Sequence, residues 1–359
     1  DRQPTSQELK EHTLMPTKAL INGFGRIGRL LFRILEADSD IEVVHVNEYP
    51  GSGESAAYLL QFDSVHGTWD RECVFESSGS ELLVGGRRVG FSRESTPGAI
   101  GLSPSGVDLV LECSGEFLTR ESLAPYFANG AKKVVVSAPV KDAKDPVLNV
   151  VYGVNHLLYD VSADHIVTAA SCTTNCLAPV VKVVHETFGI ERGSITTIHN
   201  VTNTQTLMDA TNTKKSDLRR ARSGFTNLAP TTTGSATAIA LIFPDLKGKL
   251  NGHAIRVPLT NSSLTDSVFE LKRATTAEEV NAALKSASEA GPLAGILGYE
   301  ERPLVSSDYT NDARSGIVDA LSTMVVDGTH LKVYTWYDNE MGYSFRMADV
   351  SRMVAKSIA

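Results

Sequence analysis

The residue with the clearest chemical potential is Cys172, which lies in the segment Ser171–Cys176 (SCTTNC). The residues that follow, Thr173–His185, have the pattern of a helix that would begin at the sulfur. A helix amino terminus and a neighbouring imidazole can lower a thiol pKa to roughly 3.5–7.5. His199 lies on a β-branched segment and is the candidate imidazole, although a histidine satisfied within the core is the ordinary alternative. The pattern predicts a nucleophilic thiol with an adjacent base.

A second candidate site is the segment Gly23–Gly28 (GFGRIG), which has GxGxxG spacing. It follows a predicted strand, Ala19–Asn22, and opens a predicted helix, Arg26–Glu36. The glycines permit a tight turn, close approach of a pyrophosphate and close packing of helix on strand, and a helix amino terminus attracts phosphate. A second strand, Ile41–Val46, completes a β-α-β unit. This unit predicts a dinucleotide site.

Glu48 follows the second strand, twenty residues beyond Gly28. A carboxylate at this place can accept hydrogen bonds from both ribose hydroxyls and repels a 2′-phosphate, so it favours NAD over NADP. The alternative is that Glu48 only ends a strand.

A reactive thiol beside a nicotinamide implies covalent oxidation of an aldehyde rather than simple hydride exchange with an alcohol.

Strand and helix patterns continue to alternate after this unit. Val107–Cys113 and Lys133–Ser137 are predicted strands, and a helix is predicted near Glu121–Asn129. Such alternation is typical of a doubly wound α/β (Rossmann) fold. From Gly193 onward, β-rich segments with long connections indicate an α+β region with a mostly antiparallel sheet. Its predicted strands are Ser194–Val201, His253–Leu259, Ser267–Lys272, Gly316–Asp319 and Lys332–Tyr337.

We predict three parts of the chain from these patterns. Residues 1–14 are polar and are expected to be a disordered extension, a tag remnant or the rest of a processed targeting peptide. Residues 15–170 together with 338–359 are expected to form an NAD-binding domain that is closed by a helix near Met347–Ser357. Residues 171–337 are expected to form the catalytic domain, with a long functional loop at Thr202–Ser223.

Composition excludes several classes of function. The chain has 359 residues, 42% hydrophobic and 21% charged, as in a soluble globular protein. Its net charge of −8 argues against nucleic acid as a main partner, and no apolar run reaches the ~20 residues that cross a bilayer. Four cysteines without framework spacing suggest a reducing compartment, and no metal site is predicted.

Several motifs together resemble the phosphorylating glyceraldehyde-3-phosphate dehydrogenase family, from Leu20 to about Val354. The motifs are INGFGRIGRL at 21–30, FDSVHG at 62–67, GVNH at 153–156, SCTTNCLAP at 171–179, DLRRAR at 217–222, PTTTG at 230–234, GKLNG at 248–252, RVP at 256–258 and WYDNEMGYS at 336–344. The resemblance implies oxidation of glyceraldehyde 3-phosphate with NAD and inorganic phosphate, through a cysteine thiohemiacetal and thioester. It also implies a homotetramer.

The resemblance assigns a role to each matching position. Cys172 is the implied nucleophile and His199 its base. The implied holders of inorganic phosphate and of the substrate's own phosphate are Ser171, Thr173, Thr202, Thr204, Arg220, Thr233, Gly234 and Arg256. The implied cofactor contacts are Gly23, Gly25, Arg26, Ile27, Gly28, Glu48, Ser114, Ser137, Asn339 and Tyr343.

Two positions depart from the family pattern. Glu48 stands where the commonest family acid is Asp, which keeps ribose binding plausible but shifts the ribose. Ala210-Thr211 stands where many NAD-specific members carry Leu-Pro and resembles the Ala-Ser of photosynthetic members, so use of NADP stays open. The loop through Asn212–Ser216 is about two residues longer than the common form.

Alternative functions also stay open. The chain could serve plastid carbon metabolism, act on erythrose 4-phosphate, or use arsenate in place of phosphate, and the intact PTTTG motif argues against the erythrose variant. It could also be a non-catalytic structural protein that binds a dinucleotide for stability. The expected compartment is the cytoplasm, with the plastid stroma as the alternative.

Overall fold

Two β-sheets and the helices packed on them make up the described part of the protein. The computed structural model describes residues 15–102, 106–142, 144–212 and 216–358. The predicted extension at residues 1–14 and the middle of the loop through Asn212–Ser216 therefore lie outside the described residues. In the described part of the chain, no helix is both long and apolar enough to cross a membrane.

The first sheet has nine strands in the order β3-β4-β5-β2-β1-β6-β7-β9-β8. The elements of this half are β1 (Thr17–Asn22), α1 (Arg26–Leu35), β2 (Ile41–Asn47), α2 (Gly53–Gln61), β3 (Cys73–Glu76), β4 (Glu81–Val84), β5 (Arg87–Ser92), β6 (Leu109–Glu112), α3 (Arg120–Ala128), β7 (Lys133–Val136), β8 (Leu148–Asn149) and β9 (Ile166–Thr168). All neighbours pair in parallel except β3 with β4 and β4 with β5. The doubly wound prediction is confirmed.

Helices cover both faces of this sheet because its strands are apolar on both sides. Ala19 and Ile21 of β1 face a core shared with α1, whereas Leu20 faces a core shared with α3. The closing helix belongs to the first of these cores through Met347 and Val350. Near-continuous apolar strands are what a parallel sheet covered on two sides requires.

The second sheet has seven strands in the order β11-β12-β10-β13-β16-β15-β14. The elements of this half are α4 (Cys172–Phe188), β10 (Ile190–His199), β11 (Ala229–Thr232), α5 (Ser235–Ile242), β12 (Leu250–Arg256), β13 (Ser263–Leu271), α6 (Ala277–Glu289), β14 (Leu297–Glu300), β15 (Gly316–Val326) and β16 (His330–Tyr337). The closing helix, α7 (Met341–Ala355), returns to the core of the first sheet. Only β10 with β12 and β14 with β15 pair in parallel, so the predicted mostly antiparallel sheet is confirmed.

One connection brings the candidate residues of the two halves together. β9 ends at Thr168, and α4 begins four residues later at Cys172. β10 then runs back along α4 and ends at His199. The amino end of α4 and the carboxyl end of β10 therefore lie side by side.

Candidate active site

A single cleft of about 1250 Å³ contains most of the predicted site residues. The predicted residues on its wall are Gly25, Arg26, Ile27, Ser114, Ser137, Ser171, Cys172, His199, Thr202, Thr204, Arg256, Asn339 and Tyr343. Gly23, Gly28, Glu48, Thr173, Arg220, Thr233 and Gly234 lie off its wall. Both the dinucleotide segment and the thiol thus open onto one cavity.

The turn before α4 sets the position of the thiol. Ala170 has a left-handed backbone with φ of +56°, and Ser171 then caps the helix by accepting a hydrogen bond from the N–H of Thr174 at 3.2 Å. The side-chain amide of Asn175 donates to the carbonyl of Ala169 at 2.8 Å, which holds the turn from the inside. Cys172 is consequently the first residue of α4, with its sulfur at the positive end of the helix.

The imidazole of His199 lies against this sulfur. Its Nε2 is 3.6 Å from Sγ of Cys172. Its Nδ1 is 2.9 Å from the carbonyl oxygen of Asn200 and 2.6 Å from Nη1 of Arg256. Nδ1 can donate to Asn200 or accept from Arg256, but it cannot do both. The choice decides whether Nε2 offers the sulfur a lone pair or a proton.

The protonation states of Cys172 and His199 differ from the prediction. Burial raises the pKa of the Cys172 thiol, and the positive charge of Arg256 and a hydrogen bond from Thr173 only partly oppose this rise. Burial and the charge of Arg256 lower the pKa of His199 to about 3. The predicted low thiol pKa is therefore wrong, because burial reverses the direction of the shift. The helix terminus does not offset the loss of water around the sulfur, and the pair rests as thiol and neutral imidazole.

Tyr337 supports this pair, a role that the sequence did not predict. Its hydroxyl is 2.9 Å from Oγ1 of Thr173 and 2.7 Å from Oγ1 of Thr197. Its ring meets the imidazole of His199 edge-on, with centroids 6.1 Å apart. The hydroxyl of Thr173, predicted to hold phosphate, thus bonds to Tyr337 inside the core. The motif WYDNEMGYS contained Tyr337, but only its later residues had suggested a role.

Two arginines lie near the imidazole of His199, and the charges of both act on it. Nη1 of Arg220 donates to Oγ1 of Thr204 at 2.8 Å, and Oγ1 of Thr204 is 2.8 Å from that of Thr202. Within the described ranges, neither Arg220 nor Arg256 forms a salt bridge, and Nε of Arg256 is buried without a partner. A buried guanidinium without a counterion is costly. The arrangement is suited to a phosphate dianion, which would accept these donors.

The remaining predicted phosphate residues are connected to this region more remotely. Nε of Arg220 donates to Oγ1 of Thr231 at 3.2 Å, on β11. Thr233 and Gly234 follow that strand, and Gly234 caps α5. A Cβ built at Gly234 would meet nothing within 4 Å. Gly234 therefore borders open space, and the proximity of Thr233 and Gly234 to the thiol stays a prediction.

Glycine is required at two positions of the dinucleotide segment. Gly23 has φ of +88°, and a Cβ there would lie 2.3 Å from the backbone N of Ser114. A Cβ at Gly28 would lie 2.1 Å from the carbonyl oxygen of Gly23. Gly25 faces open space and caps α1 without a side-chain hydrogen bond. The amino end of α1 is therefore bare toward the cleft, as a pyrophosphate needs.

The other predicted cofactor residues surround this segment. The carboxylate of Glu48 accepts a short hydrogen bond from the backbone N–H of Phe24, which ties the acid to the glycine turn. The hydroxyl of Tyr343 donates to the carbonyl of Ser137 at 2.6 Å, across the cleft wall. The side-chain oxygen of Asn339 accepts from Ser263 at 3.2 Å. These contacts fit a dinucleotide along the carboxyl edge of the sheet.

An ionic group at the mouth of the cleft was not predicted. Arg26, the first residue of α1, pairs with Asp63 and with Glu340, the latter at 2.6 Å. Nε2 of His66 is 2.9 Å from the same carboxylate of Glu340. Burial alone would raise the pKa of Asp63, but the hydrogen bond and charge of Arg26, together with the backbone N–H groups of His66 and Val65, lower it to about 2. The motifs FDSVHG and WYDNEMGYS carry these partners, but neither suggested that they meet.

The described residues contain no group of three or more His, Cys, Asp or Glu that could hold a metal ion. All four cysteines are free.

Comparison with known proteins gives matches over nearly all of the chain. Residues 17–120 match the family model of the glyceraldehyde 3-phosphate dehydrogenase NAD binding domain, and residues 171–339 match that of the C-terminal domain. The chain is 58% identical over 344 residues to glyceraldehyde-3-phosphate dehydrogenase 3 of Nostoc sp., covering 96% of this chain and 100% of that protein. It is 50% identical over 341 residues to glyceraldehyde-3-phosphate dehydrogenase of Geobacillus stearothermophilus, covering 95% of this chain and 99% of the relative.

Proposed function

Because this chain belongs to the glyceraldehyde-3-phosphate dehydrogenase family, we propose that Cys172 and His199 are its catalytic pair. The enzyme is an NAD-dependent, phosphorylating oxidoreductase that converts D-glyceraldehyde 3-phosphate to 1,3-bisphosphoglycerate, a reaction of glycolysis. The observation that carries the catalytic assignment is the distance of 3.6 Å from Sγ of Cys172 to Nε2 of His199, on the wall of the cleft. The specialised and non-catalytic alternatives are not favoured.

Proton movement at His199 drives the first step. With Nδ1–H bonded to Asn200, Nε2 takes the proton of the thiol as the sulfur attacks the aldehyde carbon. The imidazolium then donates to the developing oxyanion of the thiohemiacetal and later takes the hydroxyl proton. The neutral resting pair suits this role, because an imidazole with a pKa of about 3 stays unprotonated at neutral pH.

NAD, when bound, supplies the hydride acceptor that lets the thiohemiacetal become a thioester. The residues present fit this cofactor, since Gly23 and Gly28 admit no side chain and the amino end of α1 is bare. Gly25, Arg26, Ile27, Ser114 and Ser137 would line it, with Glu48 at the adenosine ribose and Asn339 and Tyr343 near the nicotinamide.

Phosphate chemistry completes the cycle. Inorganic phosphate attacks the thioester carbonyl, the C–S bond breaks, and the acyl phosphate leaves as the sulfur regains its electron pair. Arg220 and Arg256, with the hydroxyls of Thr202 and Thr204, would hold the phosphates because their guanidinium groups have no carboxylate partner within the described ranges. Ser171, the backbone of Thr173, Thr233 and Gly234 are the further proposed contacts.

We also propose that the enzyme is a cytoplasmic homotetramer. Four free cysteines support a reducing compartment, which the plastid stroma would also provide. Exposed apolar side chains at Leu207, Met208 and Leu218 support a subunit interface near the long loop. Light scattering at micromolar concentration should give four times the mass of the chain, and a monomeric mass would refute the tetramer.

The decisive experiment follows NADH formation from glyceraldehyde 3-phosphate with and without inorganic phosphate. Sustained turnover should require phosphate, and a single acylation should occur without it. Erythrose 4-phosphate and arsenate, tested in parallel, distinguish the specialised alternatives. Absence of NADH formation in a protein that still binds NAD would refute the catalytic proposal.

A further inference from the structure

Glu112, the last residue of β6, is a fully buried carboxylate that neither the reaction nor the cofactor site has used. Its Oε1 accepts from the N–H of Ser114 at 2.7 Å and from the hydroxyl of Ser114 at 2.5 Å. Its Oε2 accepts from the side-chain amide of Asn22 at 2.7 Å and from the hydroxyl of Tyr126 at 2.6 Å. Across the described chain, no Lys, Arg or His forms a salt bridge with it.

These four donors stabilise the buried carboxylate of Glu112. Burial raises the pKa of Glu112, and the hydrogen bonds from Ser114, Tyr126 and Asn22 oppose that rise. Each of its two oxygens has two donors within 2.7 Å, so Glu112 acts here only as an acceptor. Asn22 must therefore turn its NH₂ toward Glu112 and its oxygen the other way.

This orientation passes to the neighbouring strand. The oxygen of Asn22 accepts from the side-chain amide of Asn47 at 2.7 Å. The oxygen of Asn47 in turn accepts from the hydroxyl of Ser92 at 2.8 Å. A chain of directed hydrogen bonds thus crosses the carboxyl ends of β6, β1, β2 and β5, and Glu112 is its final acceptor.

The same residues hold three segments of the dinucleotide site. The N–H of Gly23 donates to the carbonyl of Asn47 at 2.8 Å, just before Glu48. Ser114, bonded twice to Glu112, lies so close to Gly23 that a Cβ there would be 2.3 Å from its N. A shift of the carboxylate would therefore move the glycine turn, the segment of Glu48 and the loop of Ser114 together.

We propose that Glu112 is a positioning residue for NAD: its carboxylate fixes the loops after β1, β2 and β6 against one another. The proposal rests on the use of NAD by this enzyme, and it concerns cofactor affinity rather than the chemical step. Glu112→Gln places an NH₂ against either the two donors of Ser114 or those of Asn22 and Tyr126, so a buried donor loses its acceptor.

The test measures the Kd of NAD by titration calorimetry and the steady-state constants of the full enzyme. We expect Glu112→Gln to raise both the Kd and the KM of NAD about tenfold. Its kcat at saturating NAD and its KM for glyceraldehyde 3-phosphate should stay within about twofold of the parent. Tyr126→Phe removes one donor while leaving Ser114 bonded, and it should raise the Kd of NAD about threefold. If Glu112→Gln does not fold, the Kd of NAD in Tyr126→Phe alone tests the proposal.

A matched control lies in the same sheet, at the amino end of the strand next to β6. Lys133 of β7 is buried, and its ammonium donates to the carbonyls of Val161 at 2.5 Å and Asp164 at 3.0 Å. Lys133→Gln should lower the Tm without changing the Kd of NAD. An unchanged Kd in both Glu112→Gln and Tyr126→Phe, or an equal loss in Lys133→Gln, would overturn the proposal. Failure of the parent to bind NAD would instead refute the proposed function.

Discussion

Replacing His199 with Asn should slow acylation by about 10²–10⁴-fold, the usual contribution of one positioned acid–base group. The change removes the only imidazole near Sγ of Cys172 within the described residues, at 3.6 Å. It also removes the ring nitrogen Nδ1, which lies 2.6 Å from Nη1 of Arg256. Binding of NAD should be preserved, because the residue lies at the carboxyl end of β10 rather than on the first sheet.

The same change should alter how stability depends on pH. A histidine whose pKa falls from 6.5 to about 3 on folding binds fewer protons in the folded state. Acid therefore favours the unfolded chain as the pH drops below about 6.5. Between about pH 8 and pH 5, protonation stabilises the unfolded chain by the equivalent of about 1.5 pK units. The folded chain gains nothing, because its imidazole stays neutral in this range. At 1.36 kcal/mol per unit, this costs about 2 kcal/mol of stability.

Urea unfolding at several pH values measures this slope, and single-turnover acylation measures the rate. Over the same pH range, the free energy of unfolding of the His199→Asn variant should fall by about 2 kcal/mol less than that of the parent. His253→Asn, at an exposed position of β12, is the control for removal of an imidazole as such. Parallel pH slopes in the parent and His199→Asn would show that His199 is not held neutral, and the argument for its role as a ready base would fail.

Three further outcomes are expected. Cys172→Ser should abolish turnover and leave NAD binding largely intact, because a hydroxyl is a far weaker nucleophile; turnover above about a tenth of the parent would remove Cys172 from the mechanism. Arg256→Ala should weaken binding of both aldehyde substrate and phosphate by several kcal/mol, so unchanged KM values in a folded variant would contradict the anion site. Glu48→Ala should weaken NAD and improve NADP, whereas the parent should prefer NAD about tenfold or more, ~1.4 kcal/mol. Steady-state kcat/KM for both cofactors measures this, and equal use of both by the parent would mean that the Ala210-Thr211 loop outweighs Glu48.

The β-α-β unit was predictable because its local signals agree. Apolar strands, a glycine turn and an amphipathic helix all occur in order, and the observed bounds of α1 differ from the predicted ones by a single residue. The hairpin strands β3, β4 and β5 were missed, since they are short and half-exposed. β10 begins at Ile190, earlier than predicted, because pairing with β13 extends it through polar residues. Tertiary pairing overrides local pattern there.

The sequence predicts which residues form the site better than it predicts their contacts and protonation states. Thiol and imidazole are 27 residues apart in the sequence, so their contact depends on how α4 and β10 pack. The direction of both pKa shifts depends on burial and on Arg256, 57 residues from His199. A local motif determines neither the contact between thiol and imidazole nor the directions of these pKa shifts. The ionic group of Arg26, Asp63, His66 and Glu340 likewise exists only after folding.

The left-handed backbone at Ala170 limits which sequences can place a nucleophile here. An L-residue pays about 1–2 kcal/mol for this conformation, and a β-branched residue would be strained further. Glycine would relieve the strain but would give the turn before Cys172 more freedom in the unfolded chain. Substitution at position 170 is therefore restricted by a torsion angle, and a survey of tolerated residues there should favour Ala, Gly and Asn over Val, Ile and Thr.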